Sequence, residues 1–181
     1  IKNMVCPRCI AAVTQVLNKI GADVLQVNLG EVVLNKDLTE EQKIQLSNEL
    51  QQLGFELLDD ARKQQIEKIK ATIIQNIHYT DDIKHNLSEI LANELHKEYS
   101  QISKLFSSTE GITIEQFVIL QKVEKVKELL VYDEMSLSEI AYKLGYSSVA
   151  HLSAQFKKVT GLTPSQFKAQ GIRLRKPLDN L

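Results

Sequence analysis

The sequence predicts two domains: an α+β domain with the order βαββαβ over residues 1–60, followed by an all-α domain over residues 61–171. Three observations lead to this prediction. Glycines separate short β-rich runs from amphipathic helical runs in the first part. The second part contains a gapless internal repeat. Residues 1–60 carry five Lys or Arg against nine Asp or Glu, whereas residues 61–181 carry 17 against 14.

The composition is that of a globular protein. Its 181 residues, 43% of them hydrophobic and 25% charged, are enough for one medium or two small domains. No apolar run approaches the roughly 20 residues of a membrane span. The first ten residues lack the apolar core of a signal peptide, and two cysteines cannot build a disulfide framework. We therefore expect a cytoplasmic protein without a membrane partner.

The elements of the first predicted domain are delimited by its glycines and by one helix-capping threonine. "IKNM" is strand-like, and "RCIAAVTQVLNKIG" is an amphipathic helix ended by Gly21. Two β-rich runs flank Gly30, and a second helix is capped by Thr39 and ended by Gly54. "FELLDD" closes the domain as a strand. This order is the split arrangement of a ferredoxin-like sandwich, which is marginal but feasible at about 60 residues.

The second domain opens with an apolar stripe formed by Ile66, Ile69, Ile73 and Ile77. Spacings of three and four residues predict a helix that packs into its own domain, with a dimer-forming role as the alternative. Residues 86–117 then align with residues 136–167 at a fixed offset of 50, with ten identities. The repeat predicts one supersecondary unit built twice.

Each copy predicts a helix-turn-helix unit. Asn86 and Ser136 are N-caps, each followed three residues later by a glutamate that completes a capping box. In the second copy the first helix breaks at Gly145, and a second helix runs to Gly161. Thr113 and Thr163 cap further helices, and "IEQFVILQKVEKVKELLVY" between the copies predicts a long connecting helix.

"NMVCPRC" contains both cysteines of the chain. Cys6 lies in the predicted loop and Cys9 at the start of the first helix, where backbone amides favour a thiolate. Two thiolates suit Cu(I), whereas a structural Zn(II) site needs four ligands, so Cu(I) is preferred over Zn(II). A thioredoxin-like redox pair is the weaker alternative, because that fold needs a longer chain and a preceding strand.

This stretch, followed by a βαββαβ pattern, resembles the heavy-metal-associated domain of copper chaperones and metal-pumping ATPases, whose motif is Met-x-Cys-x-x-Cys. The resemblance implies that Cys6 and Cys9 are metal ligands and that Met4 is an apolar anchor beneath the loop. Asn3 stands where that family commonly has Gly. The alternative is a ferredoxin-like domain that keeps its cysteines without a physiological metal.

The doubled unit, over residues 62–170, resembles the DNA-binding region of the AraC/XylS transcription regulators. "LSEIAYKLGYSSVAHLSAQFKKVTGLTPSQFK" carries the likeness, from Ser-x-x-Glu-x-Ala to Gly-x-Thr-Pro-x-x-Phe. The resemblance implies two helix-turn-helix units joined by a rigid helix, with the second helix of each unit in successive turns of the major groove.

Helical phase selects the side chains that would face DNA. In residues 149–160, Leu152, Phe156 and Val159 point inward, and the offset of 50 gives the equivalent positions in the first unit. The candidate DNA-binding residues are Ala150, His151, Ser153, Ala154, Lys157 and Lys158 in the second unit, and Ser100, Gln101, Ser103 and Lys104 in the first. Gln101, Lys104, His151 and Ser153 are the candidate base readers, and the lysine pair contacts phosphates or forms a solvated face.

These features predict a sequence-specific DNA-binding transcription regulator that responds to a thiophilic metal. One alternative is a regulator whose first domain mediates protein interaction or dimerisation without sensing metal, and another is a metal-trafficking module. An enzyme is not expected, because the sequence has no Gly-rich phosphate loop and no nucleophile–base pair, and His78, His85 and His96 are expected at the surface or in turns. RNA polymerase is a candidate partner, the oligomeric state is open, and residues 172–181 are expected to form a basic tail.

Overall fold

The computed structural model describes residues 1–80 and 86–170. The chain divides into two compact units, the first covering Ile1–Thr72 and the second beginning at Ile73. The boundary lies inside helix α3 (Ala61–His78), whereas the sequence places it after residue 60. The predicted basic tail at 172–181 and His85 lie outside the described residues.

The first unit contains α1 (Pro7–Lys19), β1 (Val24–Asn28), β2 (Glu31–Leu34) and α2 (Glu40–Gln52). The two strands pair in antiparallel fashion, with Asn28 opposite Glu31 across the turn and a bulge between Val24 and Gln26. Both helices and both inner strands of the predicted order are therefore present. Thr39 caps α2 through a capping box with Gln42, as predicted.

The predicted outer strands are reduced to one isolated antiparallel bridge between Lys2 and Glu56. Asn3 has a φ of 70°, which is outside the β region, so an extended strand stops after Lys2. On the other side Phe55 and Leu58 are both buried, a spacing of three that strand alternation does not produce. Within the described chain the sheet has two strands, and the ferredoxin-like sandwich is not confirmed.

The core of the first unit is formed by apolar faces of its helices. Val13 and Leu17 of α1 and Leu50 of α2 are buried almost completely, together with Ile66 and Ile69 of α3. Gly30, at a φ of 75°, lies where an added Cβ would be 3.4 Å from the Ala71 Cβ. This glycine therefore allows both the tight β1–β2 turn and the approach of α3.

The second unit repeats one helix pair. Its helices are the last part of α3, α4 (Leu87–Leu95), α5 (Tyr99–Glu110), α6 (Ile114–Tyr132), α7 (Leu137–Lys143), α8 (Val149–Thr160) and α9 (Pro164–Gln170). The predicted helix-turn-helix units are α4–α5 and α7–α8, and α6 is the predicted connecting helix. None of the described helices is long and apolar enough to cross a membrane.

Caps define the helix ends of the second unit. Ser136 and Glu139 form the predicted capping box, and Thr113 and Thr163 bond in the same way to the glutamine three residues later. Gly111 and Gly161 end α5 and α8 in the left-handed conformation. Asn86 differs from its predicted role, because its side-chain oxygen instead accepts a hydrogen bond from the Ser88 hydroxyl.

The cores of the two helix pairs share α6. Phe106 of α5 packs on Phe117 with ring centroids 5.6 Å apart, and Phe156 of α8 packs on Phe167 at the same distance. Val123 and Val126 of α6 are completely buried. The burial of the predicted stripe is confirmed, since Ile73 and Ile77, like Ile66 and Ile69, are buried. The stripe does not pack into one domain as predicted, because the boundary between the two units lies inside α3 and leaves Ile66 and Ile69 in the first unit.

Two sequence predictions about burial are wrong. Val159 is 37% exposed, because α8 ends one residue later and its last turn leaves the core. His78 is only 8% exposed instead of lying at the surface, and its Nε2 is 3.1 Å from the Oε1 of the fully buried Gln121. His96 is exposed and ends α4 in the left-handed conformation, as a turn residue would.

Ser136→Ala should lower the free energy of unfolding by about 1 kcal/mol, because the cap that accepts from the Glu139 amide is lost. Ser138→Ala, at an exposed position two residues along the same helix, is the matched control and should change stability by less than about 0.5 kcal/mol. Chemical denaturation followed by circular dichroism measures both variants. Equal stabilities would contradict the capping role.

Candidate nucleic-acid interface and dithiol loop

Helix α5, the second helix of the first helix-turn-helix pair, has one apolar and one polar face. Ile102 and Phe106 are buried, whereas Ser100, Gln101 and Lys104 are exposed. Ser103 is half-buried at the edge of the polar face, and its carbonyl accepts from the Ser107 hydroxyl. The four predicted DNA-facing residues of the first helix-turn-helix pair thus lie on or beside one exposed face.

Helix α8, the second helix of the second helix-turn-helix pair, presents the equivalent face. Leu152 and Phe156 are fully buried, as predicted. The exposed residues are Ala150, His151, Ala154, Lys157 and Lys158, and Ser153 is half-buried. The face carries two cations in its last turn, where they also complement the carboxyl end of the helix.

The start of α8 is held by a small cluster of side chains. The Ser148 hydroxyl caps the helix by accepting from the His151 amide at 3.1 Å. The Ser147 Oγ lies 3.0 Å from Nδ1 of the His151 imidazole. The Tyr146 ring meets the imidazole edge-on, with centroids 5.4 Å apart and an interplanar angle of 84°. The imidazole is therefore held on two sides although it is exposed.

Lys122 of α6 lies behind this cluster. Its Nζ is 5.4 Å from the centroid of the Tyr146 ring, within range of a cation–π interaction. Burial lowers the pKa of Lys122 and raises the pKa of Tyr146 to about 12. The Tyr146 hydroxyl is buried and has no hydrogen-bond partner among the described residues.

The start of α5 is fixed differently. The Tyr99 hydroxyl donates to Oε1 of Glu115, in the first turn of α6, at 2.7 Å. Burial and this bond raise the pKa of Tyr99, and the same bond lowers the pKa of Glu115. The start of α5 is thus attached to α6 by the Tyr99–Glu115 hydrogen bond, and the turn before α8 is attached to α6 by the Tyr146–Lys122 contact.

The two cysteines lie at the start of α1. Cys6 is the N-cap, Pro7 is the first helical residue, and the sulfur atoms of Cys6 and Cys9 are 3.1 Å apart. Both side chains are half-buried, and Met4 is buried as the predicted anchor position requires. Among the described residues no group of three or more His, Cys, Asp or Glu could hold a metal ion. The donor set therefore fits a soft ion of low coordination number and does not fit a four-ligand Zn(II) site.

The pKa of the Cys9 thiol is shifted in the direction opposite to the sequence expectation. Burial, followed by the hydrogen bond with Cys6, raises the pKa of the Cys9 thiol. Backbone hydrogen bonds act in the opposite direction, as the helix start predicts, but their effect is smaller. A metal that binds the Cys9 sulfur would therefore have to displace a proton that burial holds more firmly.

Asn3 has a specific role beside this loop. Its φ of 70° is in the left-handed region, which explains why the position suits Gly and tolerates Asn. Its side-chain amide donates to the Gly54 carbonyl at 3.0 Å, so it also ties the loop to the end of α2.

Comparison with known proteins identifies the second unit. The model of the helix-turn-helix domain family matches residues 91–170. The chain is 30% identical over 106 residues to the uncharacterized HTH-type transcriptional regulator YtdP of Bacillus subtilis, covering 59% of this chain and 14% of YtdP. It is 28% identical over 127 residues to the "Probable transcriptional regulator LumQ" of Photobacterium leiognathi, covering 68% of this chain and 50% of LumQ.

A solved structure gives the same fold. The crystal structure of a transcriptional regulator with an AraC-type DNA-binding domain, from Chromobacterium violaceum, superposes with a TM-score of 0.51 at 17% identity, covering 60% of this chain and 96% of that one. These matches show a helix-turn-helix domain over residues 91–170, and the fold of this region is shared with the solved structure. The chain spans half or less of the length of both curated relatives. The heavy-metal-associated resemblance of residues 1–60 stays a prediction.

Sequence reasoning did not find four residues that support the exposed faces of α5 and α8: Tyr99, Glu115, Lys122 and Ser147. Their contacts join side chains 4 to 24 positions apart, which periodicity does not reveal. Tyr146 follows the glycine of the turn, and an aromatic residue at that point was the available signal.

Tyr146→Phe should make the protein more resistant to alkaline pH. An unfolded tyrosine ionises near pH 10, whereas burial raises the pKa of Tyr146 to about 12, so the unfolded wild type loses its proton first and stability falls above about pH 10. The phenylalanine variant lacks this loss and should gain about 1 kcal/mol relative to wild type by pH 11.

Denaturant titrations from pH 8 to 11 measure this difference. Tyr142→Phe, at an exposed tyrosine on α7, is the matched control and should follow the wild type at every pH. At neutral pH the loss of an unpartnered hydroxyl should change stability by less than about 1 kcal/mol. A Tyr146→Phe profile parallel to wild type would contradict the assignment.

Proposed function

We propose that this chain is part of a cytoplasmic, sequence-specific DNA-binding transcription regulator. One observation carries the proposal: the second helices of two equivalent helix pairs, α5 and α8, each bury an apolar face and present a polar, cationic one. Helix-turn-helix proteins insert such a helix into the major groove. The matches to transcriptional regulators support the same conclusion.

The exposed side chains divide into two roles. Gln101 and Lys104 carry amide and ammonium groups that can reach adenine or guanine edges from α5. His151 and Ser153 are the polar candidates on α8, whose Ala150 and Ala154 offer only methyl contacts. Lys157 and Lys158 reach phosphates and set position more than sequence.

The connecting helix α6 packs against both α5 and α8 and so fixes the distance between their exposed faces. Its 19 residues span about 28 Å at 1.5 Å per residue, comparable to the roughly 34 Å of one turn of DNA. Because both recognition helices pack against it, they would contact one duplex together. Binding through two units needs no partner chain, and RNA polymerase is the partner expected of a bound regulator.

For the first unit we propose capture of a thiophilic cation, with Cu(I) preferred. Cys6 and Cys9 would hold it, and Met4 would support the loop from below. The ion would supply a cross-link between two positions of one helical turn, which the dithiol lacks. The protein would act as a metal-responsive regulator if the ion binds the DNA-competent and incompetent states unequally.

A second function for the first unit is favoured by its surface. Leu25, Ile44 and Leu53 are 66%, 64% and 51% exposed. Exposed aliphatic side chains of this size suit a protein-interaction or dimerisation module that needs no metal. The two functions differ in one measurable respect, which is whether Cu(I) alters DNA binding.

The full chain should bind duplex DNA with an affinity that falls steeply as salt rises, because lysines displace counterions from phosphates. Lys104→Ala should lower the preference for the selected sequence by about 1 to 3 kcal/mol if Lys104 reads a base. Lys36→Ala removes the same charge from an exposed loop of the first unit and should leave the preference unchanged.

Fluorescence anisotropy on duplexes selected from a random library measures both quantities. Equal loss on selected and unrelated duplexes would make Lys104 a phosphate contact. Binding that is absent, or insensitive to salt, would reject the proposed function.

One Cu(I) per chain should change affinity for the selected duplex by about 5- to 150-fold, the usual range for coupled sites. The Cys6→Ser/Cys9→Ser variant should keep metal-free DNA binding and lose the response, because hydroxyls are poor ligands for a soft ion. The variant's own metal-free affinity is the internal control. Tight Cu(I) binding by the wild type with unchanged DNA affinity would reject metal sensing and leave the interaction module.

A further inference from the structure

The turn before α8 holds one exposed side chain, the imidazole of His151, in a defined position. His151 is exposed, yet its Nδ1 is 3.0 Å from the Ser147 Oγ and its ring meets Tyr146 edge-on. The Tyr146 ring is itself held by burial and by Lys122 of α6. An exposed imidazole with two contacts has lost much of its rotamer freedom before any ligand arrives.

The bond to Nδ1 restricts what Nε2 can do. If the Ser147 hydroxyl donates to Nδ1, the ring proton lies on Nε2, which is then a donor. If Nδ1 donates to Ser147, Nε2 is a bare acceptor. The first arrangement coincides with the tautomer that a neutral imidazole prefers in water, and an imidazolium also carries a proton on Nε2. Two of the three forms therefore present a donor from Nε2, which has no partner among the described residues.

The surroundings leave His151 as the residue that reads this part of the groove. Its neighbours on the exposed face, Ala150 and Ala154, lack hydrogen-bonding side chains, and Ser153 is half-buried. Lys157 and Lys158 lie two turns farther along, toward the carboxyl end. A helix-turn-helix protein contacts base edges chiefly with the amino-terminal residues of its recognition helix.

Among the base edges of the major groove, guanine matches a single outward donor best. Its N7 and O6 are both acceptors, whereas adenine places an amino donor beside N7, thymine places a methyl group beside its single acceptor O4, and cytosine presents only an amino donor. We propose that Ser147 is a positioning residue that holds His151 as an Nε2 donor, and that His151 thereby selects guanine through N7 in the half-site read by α8. This inference rests on the proposed DNA-binding function and names the base that the second helix-turn-helix pair recognises.

The test uses the full chain and a random-sequence duplex library. The wild type should select guanine at one position of a half-site, and replacing that guanine by 7-deazaguanine, which lacks the N7 acceptor, should weaken binding by about three- to tenfold, the contribution of one hydrogen bond. His151→Ala should bind the two duplexes equally. A 7-deazaguanine penalty that is absent, or equal in the two proteins, would overturn the assignment.

The positioning role has its own variants. Ser147→Ala should reduce the guanine preference while retaining salt-dependent binding to unselected DNA, and Ser147→Thr, which keeps the hydroxyl, should restore it. A Ser147→Ala protein with full preference would show that the tautomer does not depend on Ser147. Selection of cytosine at this position would show that Nε2 is an acceptor, and selection of adenine or thymine would overturn the assignment to guanine.

The same data separate this inference from the proposed function. A wild-type chain that binds no duplex at any salt concentration rejects the function and the inference together. A wild-type chain that selects a sequence, but whose base preferences are unchanged in His151→Ala, rejects the inference alone. Circular dichroism of each variant confirms that its helices are retained.

Discussion

The burial of α6 between two helix pairs is the constraint on which the helix-turn-helix domain depends. Phe117 near its start packs on Phe106 of α5, and Val126 and Leu130 near its end pack with α7, α8 and α9. Sharing one helix removes the freedom that a flexible linker would leave between the two units. Two buried charged residues of α6, Glu124 and Lys127, form an ion pair with each other within the core. The relative placement of α5 and α8 is therefore a property of packing.

The exposed faces follow from this constraint. Because Ile102, Phe106, Leu152 and Phe156 must face α6 and the neighbouring helices, helical periodicity places the polar side chains on the opposite side. The dithiol loop depends on a similar arrangement within the first unit. Burial of Met4 and the left-handed Asn3, tied to Gly54, position the start of α1 and bring the two sulfur atoms within 3.1 Å.

Local signals in the sequence predicted much of this. Capping boxes at Thr39, Thr113 and Ser136 mark helix starts because the side chains that satisfy them are three residues apart, and the 50-residue offset relates α5 to α8 directly. Properties set by tertiary contact were not predictable. In place of two outer strands the structure has one bridge, Lys2–Glu56, and His78 is buried beside Gln121. Burial affects the pKa of Cys9 more than the start of α1 does. The contacts of His151 likewise depend on a turn whose geometry the sequence does not specify.

The central claim is that α5 and α8 contact one duplex through a shared rigid helix. Hydroxyl-radical footprinting of the full chain on a selected duplex tests it most directly, because it reports which sugars the protein covers. The account predicts two protected patches on one face of the DNA, separated by about 10 base pairs, the repeat of the major groove. It also predicts that His151→Ala and Lys104→Ala weaken different patches. A single protected patch, or patches whose separation varies from one duplex to another, would contradict it.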